Sequence, residues 1–375
     1  MNHVCNRKNG RKYIKIAFFI DSLDPGGAET LVRDMANTLQ HTGDDVIIYH
    51  FGNPWLEAQC NRLGIRQYCL HHRRWFKKTL LLPFFSLYFS RVLKLHCIQV
   101  LHSHLFGAIV GGMLSARLRG INHIGTLHDV YTLKENSLSA LYVRLALLLG
   151  VKVVTVSRDM QGLYVRECNI PGKTINVIYN GVKTNQLNLK DSVFPKGADN
   201  VFTFICVARF VELKRHEMLV EAFSRLNNKN CQLVLLGDGP TFRGTRDLVS
   251  ELKISTRVVM PGQVDNVRDW LQSSDCYVLV SDTEGLSCSI LEAMETGLPI
   301  IATGVGGNVE LVTSGENGLL LEKGAIEQLI DVMSTMHKNK ERCIQMGSVS
   351  RKLVKKNYSY EKMINQYREL YEHTS

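Results

Sequence analysis

The chain has 375 residues, 45% of them apolar, and a formal net charge of +10 with a pI near 9.1. That length exceeds what one α/β core usually fills, so two domains are expected. No segment reaches the roughly 18 consecutive apolar residues that a spanning helix needs, which leaves a soluble or monotopic protein. The charge calls for an anionic partner, whether nucleic acid, nucleotide or lipid surface, and by itself does not choose among them.

At the N-terminus, basic residues precede an apolar run in the manner of a signal peptide. Lys15 breaks that run, Asp21 stops it and no small-residue cleavage site follows, so it reads as a buried first strand, Lys15–Ile20. Short β-branched runs then alternate with amphipathic helical stretches, the pattern of parallel sheets with crossover helices. Further strands are expected at Val46–His50, Arg66–Leu70, Ile98–His102, His123–Leu127, Lys152–Val156 and Asn176–Tyr179. Pro171-Gly172-Lys173-Thr174 has the tail of a phosphate loop, but position 167 is Glu where the first Gly is required, and it reads as a turn. Leu187 to Asn200 is polar and aperiodic, a linker. A second series follows at Val201–Val207, Gln232–Leu236, Arg257–Met260, Cys276–Val280, Pro299–Ala302 and Gly318–Leu320, and a helix over Tyr358–Thr374 closes the chain. The expected organisation is two doubly wound domains, 1–186 and 201–357, joined by 187–200, with 358–375 packing back toward the first. Open α/β sheets bind ligands at the carboxyl ends of their strands, so the cleft between two such domains is the natural site. Ten cysteines show no C-x-x-C spacing and several lie in apolar runs, as expected of reduced packing residues in a cytosolic protein.

Ser281 to Thr303, S-D-T-E-G-L-S-C-S-I-L-E-A-M-E-T-G-L-P-I-I-A-T, carries the clearest chemistry. Ser287 is a good cap for a helix whose core stripe is Ile290, Ala293 and Met294. A helix N-terminus at the carboxyl end of a strand attracts phosphate. Glu284 stands just before it, and Glu292 lies inside the helix at a rise of about 7 Å. A carboxylate accepts two hydrogen bonds at once, which suits the vicinal hydroxyls of a ribose or hexose. On the residues alone, a capped surface helix with two ordinary glutamates is an equally open reading.

E-G-L-S-C-S-I-L-E-A-M-E-T-G-L-P-I-I-A-T-G-V-G-G resembles the E-x7-E signature of retaining glycosyltransferases of family 4. The resemblance implies that Glu284 contacts the transferred sugar and Glu292 the ribose, with Gly285, Leu286 and Ser287 also lining the donor. V-A-R-F-V-E-L-K-R-H-E-M-L-V-E-A-F is similar to the family segment that neutralises the donor diphosphate, which assigns that task to Arg209 and Lys214. Unaided, those two are solvated cations. L-V-L-L-G-D-G-P brings in Gly237, whose turn is a strand-to-helix connection first and a ligand loop second. V-V-M-P-G-Q-V-D-N places Gln263 and Val264 where backbone groups would read the base. In the more diverged N-terminal half, Gly26-Gly27 resembles the glycine loop that approaches the donor phosphates, and His128 resembles a histidine that contacts the donor sugar or its phosphate. Asn180-Gly181-Val182 matches the family's N-G-V, with Lys183 where Asp is common. His102 and His104 end one strand but have no carboxylate or Cys spaced to complete a metal site.

His71 to Lys94 interleaves cations, aromatics and aliphatics, and Arg73, Arg74, Trp75, Phe76, Lys77 and Lys78 suit an anionic bilayer or a lipid-linked acceptor. The alternative is a basic loop followed by a core helix that Pro83 interrupts. Taken together, the resemblance implies an α/β protein with two facing Rossmann-like doubly wound parallel-sheet domains, the GT-B arrangement. Its expected activity is retaining transfer of a hexose from a nucleotide diphosphate sugar, a UDP-sugar, to a glycan or lipid-linked glycan in bacterial surface polysaccharide or lipopolysaccharide synthesis. The expected place is the cytoplasm, peripheral on the inner face of the plasma membrane. No cofactor and no metal are expected, because the chain has no D-x-D and Arg209, Lys214 and the helix dipole would stabilise the leaving diphosphate, and the anionic partner is then the nucleotide sugar or the membrane, with no nucleic acid expected. A nucleotide-sugar epimerase of the same architecture and a catalytically silent subunit are the alternatives.

Overall fold

The computed structural model describes residues 7–8, 11–129, 133, 138–184, 201–226 and 230–372, and the expected linker at 187–200 lies outside them. The chain divides into two units, residues 1–178 with 364–375, and residues 179–363. Each is built on a parallel α/β sheet in which the strand order reverses once, and the first adds a two-residue antiparallel pair at Arg7–Lys8 and Arg11–Lys12.

In the first unit the strands are β1 (Lys15–Ile20), β2 (Asp45–His50), β3 (Arg66–Cys69), β4 (Val100–His104), β5 (Asn122–Leu127), β6 (Lys152–Thr155) and β7 (Asn176–Val177), in the order β3-β2-β1-β4-β5-β6-β7. The second unit holds β8 (Phe202–Val207), β9 (Cys231–Leu236), β10 (Val258–Gly262), β11 (Cys276–Leu279), β12 (Ile300–Thr303) and β13 (Gly318–Leu321), in the order β10-β9-β8-β11-β12-β13. Central strands such as K-I-A-F-F-I and C-Y-V-L are apolar almost throughout because helices cover both faces. The order turns back at β1/β4 and at β8/β11, and chains leaving those neighbouring strands toward opposite sides open a crevice at their carboxyl ends.

Two elements differ from expectation in ways that matter. β4 starts two residues late: Cys97 takes a left-handed φ of 53° to leave the preceding helix, and the Ile98 N–H still bonds the Leu93 carbonyl. His104 therefore ends the strand with its side chain inside. Pro83 does not interrupt a helix but starts one, Leu82–Leu95, where its missing N–H has no helical partner to lose. Phe85 and Phe89 of that helix are fully buried against Phe19, and burying each contributes roughly 1.5–3 kcal/mol. The Pro171–Thr174 segment is a single 3-10 turn.

The last helix, Tyr360–Glu372, supplies the first unit with a polar seam. Arg368 forms a buried ion pair with Asp44, which also accepts the Ile14 N–H, and donates to Thr42 Oγ1. Breaking such a pair leaves a charge buried without its counterpart, at a cost of about 3–5 kcal/mol. Arg368→Ala should therefore lower the stability of the first sheet by that amount, and Asp44→Leu/Arg368→Met by less. Hydrogen exchange of β1 and β2 amides in urea measures both, and a loss below about 1 kcal/mol in the single variant would show that water already reaches the pair.

Candidate functional site

In the second unit the sequence-selected residues gather past the carboxyl ends of β8 and β11. After β8 the chain passes the exposed Arg209, makes a short 3-10 turn over Glu212–Lys214, and enters the helix His216–Ser224. After β11 it forms the loop Ser281–Ser287. The Asp282 N–H bonds the Leu213 carbonyl at 2.8 Å, and Arg215 pairs with the Asp282 carboxylate at 2.7 Å, so the two loops are tied together. Lys214 Nζ then lies 2.5 Å from Glu284 Oε1, in a pair whose side chains are 23% and 9% exposed. Ser287 Oγ accepts the Ile290 N–H at 3.3 Å and caps the helix Cys288–Thr296, on which Glu292 is half-buried. Gly285, Leu286 and Ser287 are buried. Burial, helped by Glu292 and Glu284 and opposed by Lys214, pushes the Cys288 thiol up to about 12, so all three charges act on one small region. Gln263 is exposed and Val264 half-buried just past β10, the edge strand.

Glycines and buried polar groups around these loops hold this arrangement. A Cβ on Gly306, whose φ is 52°, would lie 1.8 Å from the Glu284 carbonyl oxygen, and one on Gly307 would lie 2.3 Å from that of Gly285. The Gly307 N–H bonds the Gly285 carbonyl at 3.0 Å. Only glycine permits that approach. Gly237 does the same for the loop carrying Arg209: a Cβ there would meet the Ala208 carbonyl oxygen at 2.1 Å. Tyr277 OH, from β11, sits 2.7 Å from Ser289 Oγ and 3.2 Å from the Val207 carbonyl, and the buried Asn180 donates to the Leu286 carbonyl at 3.4 Å. Gly181 packs on the backbone of Ser359 and Tyr360, and Lys183 lies over the Tyr360 ring. Glu295, in the same helix, is buried and paired with Arg268 at 3.1 Å.

In the first unit, Gly26 caps the helix Gly27–His41 in extended conformation, and a Cβ on it would meet Glu29 Oε2 at 2.7 Å. Glu29 is buried in the helix's first turn and takes a hydrogen bond from Ser22, so a carboxylate already complements that helix N-terminus. Asp21, which the sequence marks only as the stop of the first strand, accepts the Ala108 N–H, and burial raises its carboxyl to about 6. The half-buried Arg73 is close enough for its charge to oppose that rise. His128 stands just past β5, with Nε2 2.9 Å from His104 Nδ1.

Trp75 and Phe76 are both half-buried. Trp75 stacks on His72 with ring centroids 4.1 Å apart, and Phe76 packs among Phe19, Phe51 and Phe85 in a gap that Gly111 leaves open. Arg74, Lys77 and Lys78 are exposed, and the apolar side chains that face outward beside them are Leu80, Phe84 and Leu87. Among the described residues, His50, Glu57 and Cys69 bring ligand atoms within 4.8 Å of one another. His50 Nδ1 already accepts the Gly52 and Asn53 N–H groups, and Nε2 faces Gln67 Oε1, so neither nitrogen is open to an ion.

Residues 25–186 match the family model described as Glycosyltransferase Family 4, and residues 190–353 match Glycosyl transferases group 1. The chain is 32% identical over 208 residues to N-acetyl-alpha-D-glucosaminyl L-malate synthase of Bacillus anthracis, covering 54% of this chain and 54% of that protein, so it spans about half of that relative's length. It is 25% identical over 306 residues to UDP-Gal:alpha-D-GlcNAc-diphosphoundecaprenol alpha-1,3-galactosyltransferase of Escherichia coli, with 76% and 78% coverage. The Anabaena HepE protein, solved in complex with UDP-glucose, superposes with a TM-score of 0.81 at 20% identity over 95% of this chain and 99% of that one. Two family models that together run almost end to end, and a shared pair of parallel-sheet domains, place the chain among the glycosyltransferase family 4-like proteins of the GT-B fold.

Proposed function

We propose that the chain transfers a hexose from a nucleotide diphosphate sugar, with a UDP-sugar the first donor to test, to a glycan carried on lipid, with retention at the anomeric carbon, during assembly of a bacterial surface polysaccharide. One observation carries this reading: Lys214, Glu284, the Ser287-capped helix and Glu292 converge at the β8/β11 reversal of the second unit. A diphosphate at that helix N-terminus has Lys214 and Arg209 as its cations, Glu292 as a partner for ribose hydroxyls, and Glu284 as a partner for the sugar. The Escherichia coli and Anabaena similarities support a uridine nucleotide and a lipid-diphosphate acceptor. The acceptor oxygen forms its bond to the anomeric carbon on the face from which the diphosphate departs, and a diphosphate oxygen takes its proton, so no enzymic nucleophile is required. Release of nucleoside diphosphate from a panel of nucleotide sugars, with and without a lipid-linked acceptor, tests the reading.

The first unit would meet the bilayer. Between Glu57 and Asp129 the sequence has ten Lys and Arg and no Asp or Glu. Leu80, Phe84 and Leu87 are exposed at the helix Leu82–Leu95, and Leu138, Leu141, Leu145 and Leu148 are exposed along Ser139–Leu148, in the same helical layer. Apolar side chains beside the exposed Arg74, Lys77 and Lys78 suit an anionic lipid surface. No helix among the described residues is long and apolar enough to cross a membrane.

Three outcomes are expected. Glu292→Ala should weaken binding of free nucleoside diphosphate by about 1.5–3 kcal/mol, whereas Glu284→Ala should leave that affinity nearly unchanged and cut turnover instead. Calorimetric titration of both variants decides it, and equal weakening would show the carboxylates wrongly placed. Transfer should persist in chelator, because the protein supplies the cations that a metal would otherwise provide; activity that vanishes and returns with Mg²⁺ or Mn²⁺ would sink that part. Alanine at Arg74, Lys77 and Lys78 together removes about 3 kcal/mol of attraction, roughly a hundredfold in partitioning, and should release the protein from anionic liposomes in flotation.

A further inference from the structure

β4 and β5 pair in register with His104 opposite Thr126, and His128 lies two residues beyond Thr126 on the same side of the strand. The two imidazoles share one hydrogen bond, His104 Nδ1 to His128 Nε2 at 2.9 Å, with rings 19° from parallel. Burial lowers His128 to about 4, and it drives His104, beside His102 and His128, well below the ordinary histidine range. Both rings are therefore neutral at pH 7, and a single proton lies between the facing nitrogens.

Two arrangements are possible, and the far side of His104 separates them. His104 has no solvent exposure, and among the described residues its Nε2 has no hydrogen-bond partner. The rings packed against it include Phe18, at 5.8 Å between centroids, and His102, whose two nitrogens are taken by Tyr371 OH and Thr126 Oγ1. If His128 Nε2–H were the donor, the proton of neutral His104 would have to sit on Nε2 as a buried N–H with no acceptor. If His104 Nδ1–H donates, only a lone pair is left bare, and buried bare acceptors are better tolerated than orphaned N–H groups.

We infer that His104 is a positioning residue that locks His128 as the neutral tautomer with its proton on Nδ1, so that His128 meets its ligand as a hydrogen-bond donor through Nδ1–H. The ligand atom it suits is an oxygen of a phosphate or a sugar hydroxyl, and that part rests on the proposed function. A histidine's tautomer is set by the bond its other nitrogen makes, and an unconstrained histidine prefers the proton on Nε2. The lock is therefore visible as a departure from the free side chain.

Two-bond proton–nitrogen correlation spectra of the full chain labelled with ¹⁵N-histidine read the tautomers without any substrate. Protonated Nδ1 and bare Nε2 are expected for both His104 and His128. His104→Phe should return His128 to the Nε2–H form, and His104→Asn, whose amide N–H can occupy the Nδ1 position, should keep it on Nδ1. With donor and acceptor present, His104→Phe should lower kcat by about 10-fold to 100-fold with little change in the KM for donor, and His104→Asn should recover most of the loss. A protonated Nε2 on His128 in the unsubstituted protein overturns the inference, as does a His128 spectrum unmoved by His104→Phe. An intact Nδ1–H lock in a protein that transfers no sugar supports His104's role and counts against the proposed function.

Discussion

Parallel strands all deliver their carboxyl ends to one edge of a sheet, and where the strand order reverses, two neighbouring strands send their chains apart. Everything chemical in this protein follows from that constraint. In the second unit the reversal falls between β8 and β11, so a cation loop from one strand and a carboxylate loop from the other start side by side. Lys214 and Glu284 are 70 residues apart in sequence and share a hydrogen bond because the β8 and β11 backbones are paired at Phe204 and Ile205. In the first unit the reversal at β1/β4 brings Asp21 to the start of the helix Phe106–Arg119, and the neighbouring pair β4/β5 puts His104 beside His128, just past the end of β5.

Reversal alone would give two floppy loops. Their precision comes from backbone packed on backbone, which is why the glycines are where they are. Gly306 and Gly307 press on the carbonyls of Glu284 and Gly285, while Gly237 and Gly239 press on those of Ala208 and Phe210. A methyl group at any of these points would have to displace a main-chain oxygen. The charged side chains thus rise from loops whose paths are set by neighbours in the same sheet, and the Lys214–Glu284 pair loses less entropy on ordering than two free surface chains would.

The strands were legible because buried parallel strands are continuous β-branched runs, and most ends fall within a residue or two of expectation. Motif residues were legible where a pattern carries its own local geometry: Ser287 reads as a cap because the helix after it needs one. What stayed hidden depends on partners distant in sequence. His104 reads as one of two histidines ending a strand, without the ligands to complete a metal site, until β5 brings His128 to it. Asp21 reads as a strand stop until the N-terminus of Phe106–Arg119 lies on it. Trp75 and Phe76 were read with their charged neighbours as one surface, yet the gap over Gly111 draws Phe76 inward. Alternation of cations and aromatics identifies a surface segment, not which ring faces out.

The closing helix bears on the histidine pair through the same logic of buried polar groups. Tyr367 and Tyr371 reach the first sheet from Tyr360–Glu372, Tyr371 to His102 Nδ1 at 2.7 Å and Tyr367 to Thr126 Oγ1 at 3.1 Å, and Thr126 in turn meets His102 Nε2 at 2.8 Å. His102 is thereby saturated. Its ring lies 4.1 Å from that of His104 and could otherwise compete for a partner there. Leu105, the next residue, is held at a φ of 75°, a conformation that costs a leucine about 1–3 kcal/mol and persists only where surrounding structure dictates it. A fully bonded histidine behind and a strained turn ahead leave His104 a single direction in which to spend its hydrogen bond, toward His128.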